Sequence, residues 1–171
     1  INRYPVNKGD VVAALTRHFE VPAGCKLIVG NGSDELIDLL SVACDVPGAT
    51  VLAPLPGFVM YEMSARLRGL KFVGVPLTAD FELDAPAMLA AIESAGKSIS
   101  LESYIFDNDR SGNQFVEALQ RAVERGVQVR VLVDSVGAGV RRAFFGSLVA
   151  AGGEFAFFNP PRFGLRFRLL N

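Results

Sequence analysis

Short apolar segments alternate with helical segments along almost the whole chain, and this alternation most constrains the fold. The apolar segments are four to eight residues long and are bounded by turn-forming residues, which is typical of buried strands. Strands separated by helices predict right-handed βαβ units and a largely parallel sheet with helices on both faces. The predicted strands are residues 26–29, 50–53, 71–76, 99–106, 127–133, 154–158 and 163–169.

Six helices are predicted, one before the first strand and five between strands. Asp84, with Pro86 two residues later, is a typical helix start. The connection over residues 159–162 is too short for a crossover, so the last strand should run antiparallel to its neighbour. The prediction is a three-layer α/β/α fold with a mostly parallel, roughly seven-stranded sheet. The predicted helices run from Asp10 to about residue 20 and over residues 35–44, 58–68, 84–92, 112–125 and 140–151.

Size and composition predict one soluble domain over residues 1–171. Half of the 171 residues are hydrophobic and 20% are charged, which suits a buried sheet. The formal net charge of −1 provides no field that would attract nucleic acid or an anionic membrane. The two cysteines have no metal-ligand spacing, and no signal peptide or membrane-spanning stretch is visible. We therefore expect a cytoplasmic protein with reduced thiols, no metal, and neither nucleic acid nor membrane as a partner.

The turn over residues 30–34 (GNGSD), called the glycine turn below, has the features of a phosphate site. Gly30 and Gly32 let the backbone bend closely, and Gly32, Ser33 and Asp34 present N–H groups at a helix start. The helix dipole favours an anion at that end. The alternative interpretation is that Ser33 or Asp34 simply caps the helix.

Four segments of the first half carry a family resemblance in combination: residues 2–5 (NRYP), 29–36 (VGNGSDEL), 53–61 (APLPGFVMY) and 81–83 (FEL). Residues 1–92 thereby resemble a histidinol-phosphate aminotransferase, a pyridoxal-phosphate enzyme of the aspartate aminotransferase fold. The resemblance implies that Gly32, Ser33 and Asp34 hold the cofactor phosphate. It also implies that Tyr61 stacks on the pyridine ring and that Tyr4 reaches the phosphate of a neighbouring subunit. For both tyrosines the alternative is an aromatic packing residue.

The second half resembles another family. Residues 94–106, 112–134 and 151–160 follow the start of a phospholipase D domain of the cardiolipin synthase type. That family uses a His-x-Lys-x4-Asp motif, in which the His attacks a phosphodiester. No His follows His18 and no Lys follows Lys97, so this motif is missing.

The second half also follows the large domain of the aminotransferases, element by element. Asp109 falls where that family has the Asn that bonds the cofactor phenolate. Asp134 falls where the family has the Asp that binds the pyridinium, and Arg166 falls near the family's phosphate-binding Arg. The alternatives are a turn residue for Asp109, a capping residue for Asp134 and a solvated strand charge for Arg166.

The chain lacks residues that both families need for catalysis, and this determines the function we expect. The lysine that bonds the cofactor covalently is replaced by the segment Asn-Pro-Pro-Arg at residues 159–162, and Asp109 would set a carboxylate against a phenolate. We therefore expect a recombined or engineered chimera, joined near residues 92–97, that is not an enzyme. Residual binding of phosphate or non-covalent pyridoxal phosphate, or a transaminase fragment, are the alternatives. An exposed apolar patch predicts a homodimer or aggregation.

Overall fold

The computed structural model describes residues 9–19, 21 and 23–158, and the structural statements that follow concern these residues. The chain divides between Pro76 and Leu77 into two compact units, and each is described by itself. The helices are α1 (Gly9–His18), α2 (Ser33–Ala43), α3 (Val59–Leu67), α4 (Ala85–Ser94), α5 (Arg110–Glu124) and α6 (Gly146–Ala150), with a 3-10 turn at Arg142–Phe145. The strands are β1 (Thr50–Leu55), β2 (Lys71–Pro76), β3 (Ser98–Ser103), β4 (Gln128–Asp134) and β5 (Glu154–Phe158).

The first unit contains α1 to β2 and has a thin core. β1 and β2 pair in parallel, in a register that runs from Thr50 opposite Lys71 to Leu55 opposite Pro76. Helix α3 connects the two strands and packs on them, while α2 packs on α3. The buried residues of this unit are mostly small, namely Ser41, Ala53, Ser64 and Ala65; the larger ones are Leu70 and Val75. Few large side chains are therefore available to hold this unit together.

The second unit contains α4 to β5 and has a well-packed core. β3, β4 and β5 form a parallel sheet in that order. Helix α5 buries Phe115, Val116, Leu119 and Ala122, which share one face at helical spacing. At the centre of the core the rings of Phe145 and Phe155 stack with their centroids 4.1 Å apart.

One face of the three-stranded sheet is buried and the other is open. Along β4, Val129, Val131 and Val133 are buried, because successive side chains of a strand point to opposite faces. The opposite face of this sheet carries exposed polar residues: Ser98, Ser100, Glu102, Gln128, Arg130 and Glu154. Arg130 and Glu154 face each other in the register and form an ion pair of 3.4 Å. The second unit thus has two layers.

The α/β class and most of the predicted elements are confirmed, but the single seven-stranded, three-layer sheet is wrong. The described strands form two separate parallel sheets, one of two strands and one of three. The period-2 pattern that identifies a strand contains no information about which strands become neighbours. The predicted antiparallel strand 163–169 lies outside the described residues, and the single-domain organisation stays a prediction.

Two smaller predictions also need correction. The strand predicted over residues 26–29 is not formed: no described strand pairs with this segment, and Ile28 is 65% exposed. The helix predicted over 140–151 is a 3-10 turn followed by the short α6. Within the residues that the structure describes, no helix has both the length and the apolar character needed to cross a bilayer.

Candidate functional site

The glycine turn leads directly into helix α2, whose N-cap is Gly32. Gly32 has φ 88° and ψ −178°, a conformation that glycine adopts without the steric cost of a Cβ atom. No described side chain caps α2, and neither Ser33 nor Asp34 acts as its cap, so the alternative interpretation is not confirmed. A Cβ built on Gly32 would have no atom within 4 Å, so space is open beside this end of α2.

The donors at this helix end are available to an anion. Among the described residues, the backbone N–H groups of Gly32, Ser33 and Asp34 have no hydrogen-bond acceptor. The Ser33 hydroxyl donates to Oδ1 of Asp34 over 3.3 Å, a long and exposed contact. The first N–H groups of a helix need partners from outside the helix, and its dipole favours a negative one. The open donors and the open space beside Gly32 fit a phosphate group.

Glu35 adds a contact that the sequence analysis did not identify. Its carboxylate oxygen Oε2 accepts a hydrogen bond from the backbone N–H of Asn31, on the other side of Gly32. A signal was present in the sequence, because Glu in the third helical position commonly bonds back to the residues before the helix.

Tyr61 lies in the first turn of α3. Its side chain is 42% exposed, and its ring contacts that of Phe58 edge to face, with the ring centroids 5.7 Å apart. Much of the ring is therefore accessible to a planar ligand, while the contact with Phe58 restricts its orientation. Tyr61 and the glycine turn belong to the same unit.

The carboxylates of Asp134 and Asp109 both act within local turns. Oδ1 of Asp134, the last residue of β4, accepts the N–H groups of Val136 at 2.7 Å and Gly137 at 2.9 Å. Oδ1 of Asp109 accepts the N–H of Gly112 at 2.7 Å and thereby caps α5. For Asp134 this is the capping role named as its alternative, whereas Asp109, for which a turn residue was the alternative, caps a helix.

The remaining predicted site residues lie elsewhere, and so does an open pocket in the first unit. Arg166 and Tyr4 are outside the described residues, and Asp134 belongs to the second unit. A cavity of about 330 Å³ at the amino ends of β1 and β2, lined by Asp45, Pro47, Gly48, Leu70 and Lys71 among others, contains no predicted site residue. In the described ranges, no group of three His, Cys, Asp or Glu side chains is arranged to hold a metal ion.

Proteins similar to this chain in sequence include histidinol-phosphate aminotransferases. The chain is 62% identical over 126 residues to the histidinol-phosphate aminotransferase of Methylibium petroleiphilum, covering 72% of this chain and 33% of that protein. It is 54% identical over 120 residues to that of Polaromonas naphthalenivorans, covering 70% and 32%. The chain thus spans about a third of the length of the curated relatives it matches.

The expectation that the chain is not an enzyme is wrong, because these relatives are enzymes. That expectation rested on the missing lysine. A missing lysine in a chain that spans about a third of its relatives does not outweigh 62% identity to one of them.

Among solved structures, one comparison supports the fold. A protein of Erwinia carotovora atroseptica, provisionally named a histidinol-phosphate aminotransferase, aligns with a TM-score of 0.50 at 19% identity. The alignment covers 78% of this chain and 39% of that one. At this identity the likeness concerns the fold alone, which is α/β as in aminotransferases.

Two family profiles match parts of the chain and overlap over residues 88–103. The profile of the cardiolipin synthase, PLD-like domain matches residues 88–165, which is less than half of the chain. The profile of aminotransferase class I and II matches residues 10–103, which is more than half. Both resemblances are found, while the recombined origin stays a prediction. Because the longer profile match and the aminotransferase relatives agree, the chain belongs to the aminotransferase class I and II family.

Proposed function

We propose that the chain is a segment of a histidinol-phosphate aminotransferase and that its glycine turn holds the phosphate of pyridoxal phosphate. The observation that carries this proposal is the uncapped start of α2, where the N–H groups of Gly32, Ser33 and Asp34 have no described acceptor. The family match supports the identity of the anion. Transamination of histidinol phosphate by the whole protein is part of the same proposal.

Each residue of the turn has a distinct role in the proposal. The N–H groups of residues 32–34 donate to phosphate oxygens, the Ser33 hydroxyl turns from Asp34 to the phosphate, and the α2 dipole stabilises the added negative charge. The exposed face of Tyr61 lies against the pyridine ring. Pyridoxal phosphate, when bound, supplies an electron sink for reactions at the α-carbon of an amino acid.

Asp134 and Arg166 have weaker support. Asp134 as the pyridinium-binding residue stays a prediction, and its Oδ1 already accepts two backbone N–H groups. Arg166 as a phosphate ligand stays a prediction, since it lies outside the described residues.

Titration of the full chain tests the proposal. Inorganic phosphate, pyridoxal phosphate and pyridoxal, which lacks the phosphate, should be compared by calorimetry. We expect saturable binding of the first two, weaker binding of pyridoxal, and a several-fold loss in Ser33→Ala. Asp34→Ala should change little, because its contribution is the backbone N–H. The proposal fails if phosphate does not saturate the chain, or if pyridoxal binds as tightly as pyridoxal phosphate.

A recombined origin of the chain is a separate proposal. The two family profiles that overlap at residues 88–103 support it, whereas the match to the Methylibium petroleiphilum protein covers 72% of the chain, extends past residue 103 and counts against it. An aminotransferase gene of the source organism whose similarity to this chain continued undiminished over residues 104–158 would contradict it.

A further inference from the structure

Residues 31–35 form a closed loop around Gly32. The N–H of Asn31 donates to the Glu35 carboxylate, which is four residues further along the chain and already inside α2. Gly32, which carries the donors of the proposed phosphate site, lies between the two partners of this hydrogen bond. The bond therefore restrains the backbone on both sides of the donors.

Within the part of the chain that the structure describes, the conformation of Gly32 itself is weakly restrained. Gly32 has no Cβ atom and no side-chain cap, and residues 31–35 are all exposed. A glycine in this region has access to many more conformations than any other residue. For three N–H groups to meet one anion, their directions must be set before the anion arrives, because ordering them during binding weakens the affinity.

We propose that Glu35 is a positioning residue, whose bond to Asn31 holds the glycine turn in the conformation that binds phosphate. This inference rests on the proposed function of the turn. Glu35 carries a negative charge close to an anion site, so it has two opposing effects on phosphate. Its hydrogen bond organises the donors, and its charge repels the anion.

The relative size of the two effects gives the expected direction. Loss of one hydrogen bond to a charged group corresponds to about tenfold in affinity. Repulsion from a phosphate dianion about 6 Å away in water corresponds to about threefold at physiological ionic strength, and to about tenfold without salt. Positioning should therefore dominate. Removal of the whole side chain should weaken phosphate binding by about threefold or more.

Two variants of the full chain separate these effects. In Glu35→Ala both the bond and the charge are lost. In Glu35→Gln the amide oxygen can still accept from Asn31, while the charge is lost. Glu62→Ala is the matched control, since Glu62 is a glutamate on α3 of the same unit and pairs with Arg66. It removes the same charge without touching the turn.

The measurements are titration with inorganic phosphate and the amide proton shift and exchange rate of Asn31 by NMR. We expect about threefold or more weakening in Glu35→Ala with faster exchange at Asn31. Glu35→Gln should bind as tightly as the unmodified chain or more tightly, and Glu62→Ala should change binding by less than twofold. If Glu35→Ala binds phosphate as well as or better than the unmodified chain, the inference is overturned while the phosphate site stands. If the unmodified chain itself does not bind phosphate, both proposals are overturned.

Discussion

Arg68 forms a bidentate pair with the carboxylate of Asp38 through two hydrogen bonds. Nε of Arg68 donates to Oδ1 at 3.0 Å, and Nη2 donates to Oδ2. Arg68 is the C-cap of α3 and Asp38 lies in the middle of α2, so this pair joins the helix that carries the glycine turn to the helix that carries Tyr61. In a unit whose core contains few large side chains, this exposed pair is one of the contacts that restrain the relative position of α2 and α3.

The first prediction concerns the pH dependence of that restraint. The hydrogen bonds from Arg68 lower the pKa of the Asp38 carboxyl below its usual value. A carboxyl with a lowered pKa in the folded state contributes stability above its unfolded pKa of about 4, and this contribution disappears as the pH falls through the lower folded value. Arg68→Ala should therefore lower the urea midpoint at pH 7, with a difference that shrinks as the pH falls below about 4.

Arg66→Ala is the control for this prediction. Arg66 is paired with Glu62 one turn away on the same helix, and its side chain is 73% exposed, so its removal should have a smaller effect. An equal loss in both variants, or a loss in Arg68→Ala that persists unchanged to pH 2, would show that the pair does not restrain the helices.

The second prediction concerns a buried hydroxyl without a partner. Ser64 on α3 is 1% exposed, and its Oγ has no hydrogen-bond partner among the described residues. Because a buried hydroxyl loses its bonds to water on folding, Ser64→Ala should raise the free energy of unfolding by about 1 kcal/mol. Ser41→Ala is the matched control, since the Ser41 hydroxyl donates to the Ile37 carbonyl at 3.0 Å. Urea denaturation followed by circular dichroism would decide; a destabilised Ser64→Ala contradicts the prediction.

The third prediction concerns two helical glycines of the second unit. A Cβ on Gly112 would lie 2.0 Å from the backbone oxygen of Asp107, so Gly112→Ala must displace backbone and should cost about 1–3 kcal/mol. Gly146, with φ −59° and ψ −43°, has nothing within 4 Å of a Cβ, so Gly146→Ala should stabilise by about 0.5–1 kcal/mol. Both changes are measured by thermal and urea unfolding. Effects of the same sign at the two positions would contradict the argument.

The fourth prediction concerns self-association. Most of the large apolar side chains that are more than a third exposed belong to the first unit, among them Leu40 at 56% and Leu67 at 75%. Exposed apolar surface of this kind favours association, so the sedimentation coefficient should rise with concentration. Leu40→Glu with Leu67→Glu should reduce that rise. Val136→Glu, at an equally exposed site of the second unit, is the control. A monomer at all concentrations would dismiss the prediction.

Local features of the chain were predictable where the chemistry is local. Asp84 caps α4 as expected, through Oδ1 and the N–H of Ala87 at 3.1 Å. The alternating valines of β4 and the apolar spacing of α5 also place these residues on buried faces, as the structure has them. Each such signal involves residues within about four positions of one another, so tertiary structure does not have to be known.

The roles of Glu35 and Asp134 were harder to predict. The Glu35 bond to Asn31 is local, but it competes with solvation and with other capping arrangements that the same residues permit. Asp134 follows a parallel strand, a position that suits both a ligand contact and a turn cap. Only the coordinates show that its Oδ1 is occupied by Val136 and Gly137.

The sequence alone determined the α/β class, the order of most elements, the glycine turn at the start of α2 and the resemblance to aminotransferases. These follow from periodicity, turn chemistry and short motifs, which all depend on residues close together in the sequence. Only the tertiary structure decided that the described strands form two sheets, that one sheet has an open polar face, and that the first unit has a thin core. Strand pairing and burial depend on residues that are distant in the chain, and the free energies that select among such pairings are sums over many weak contacts.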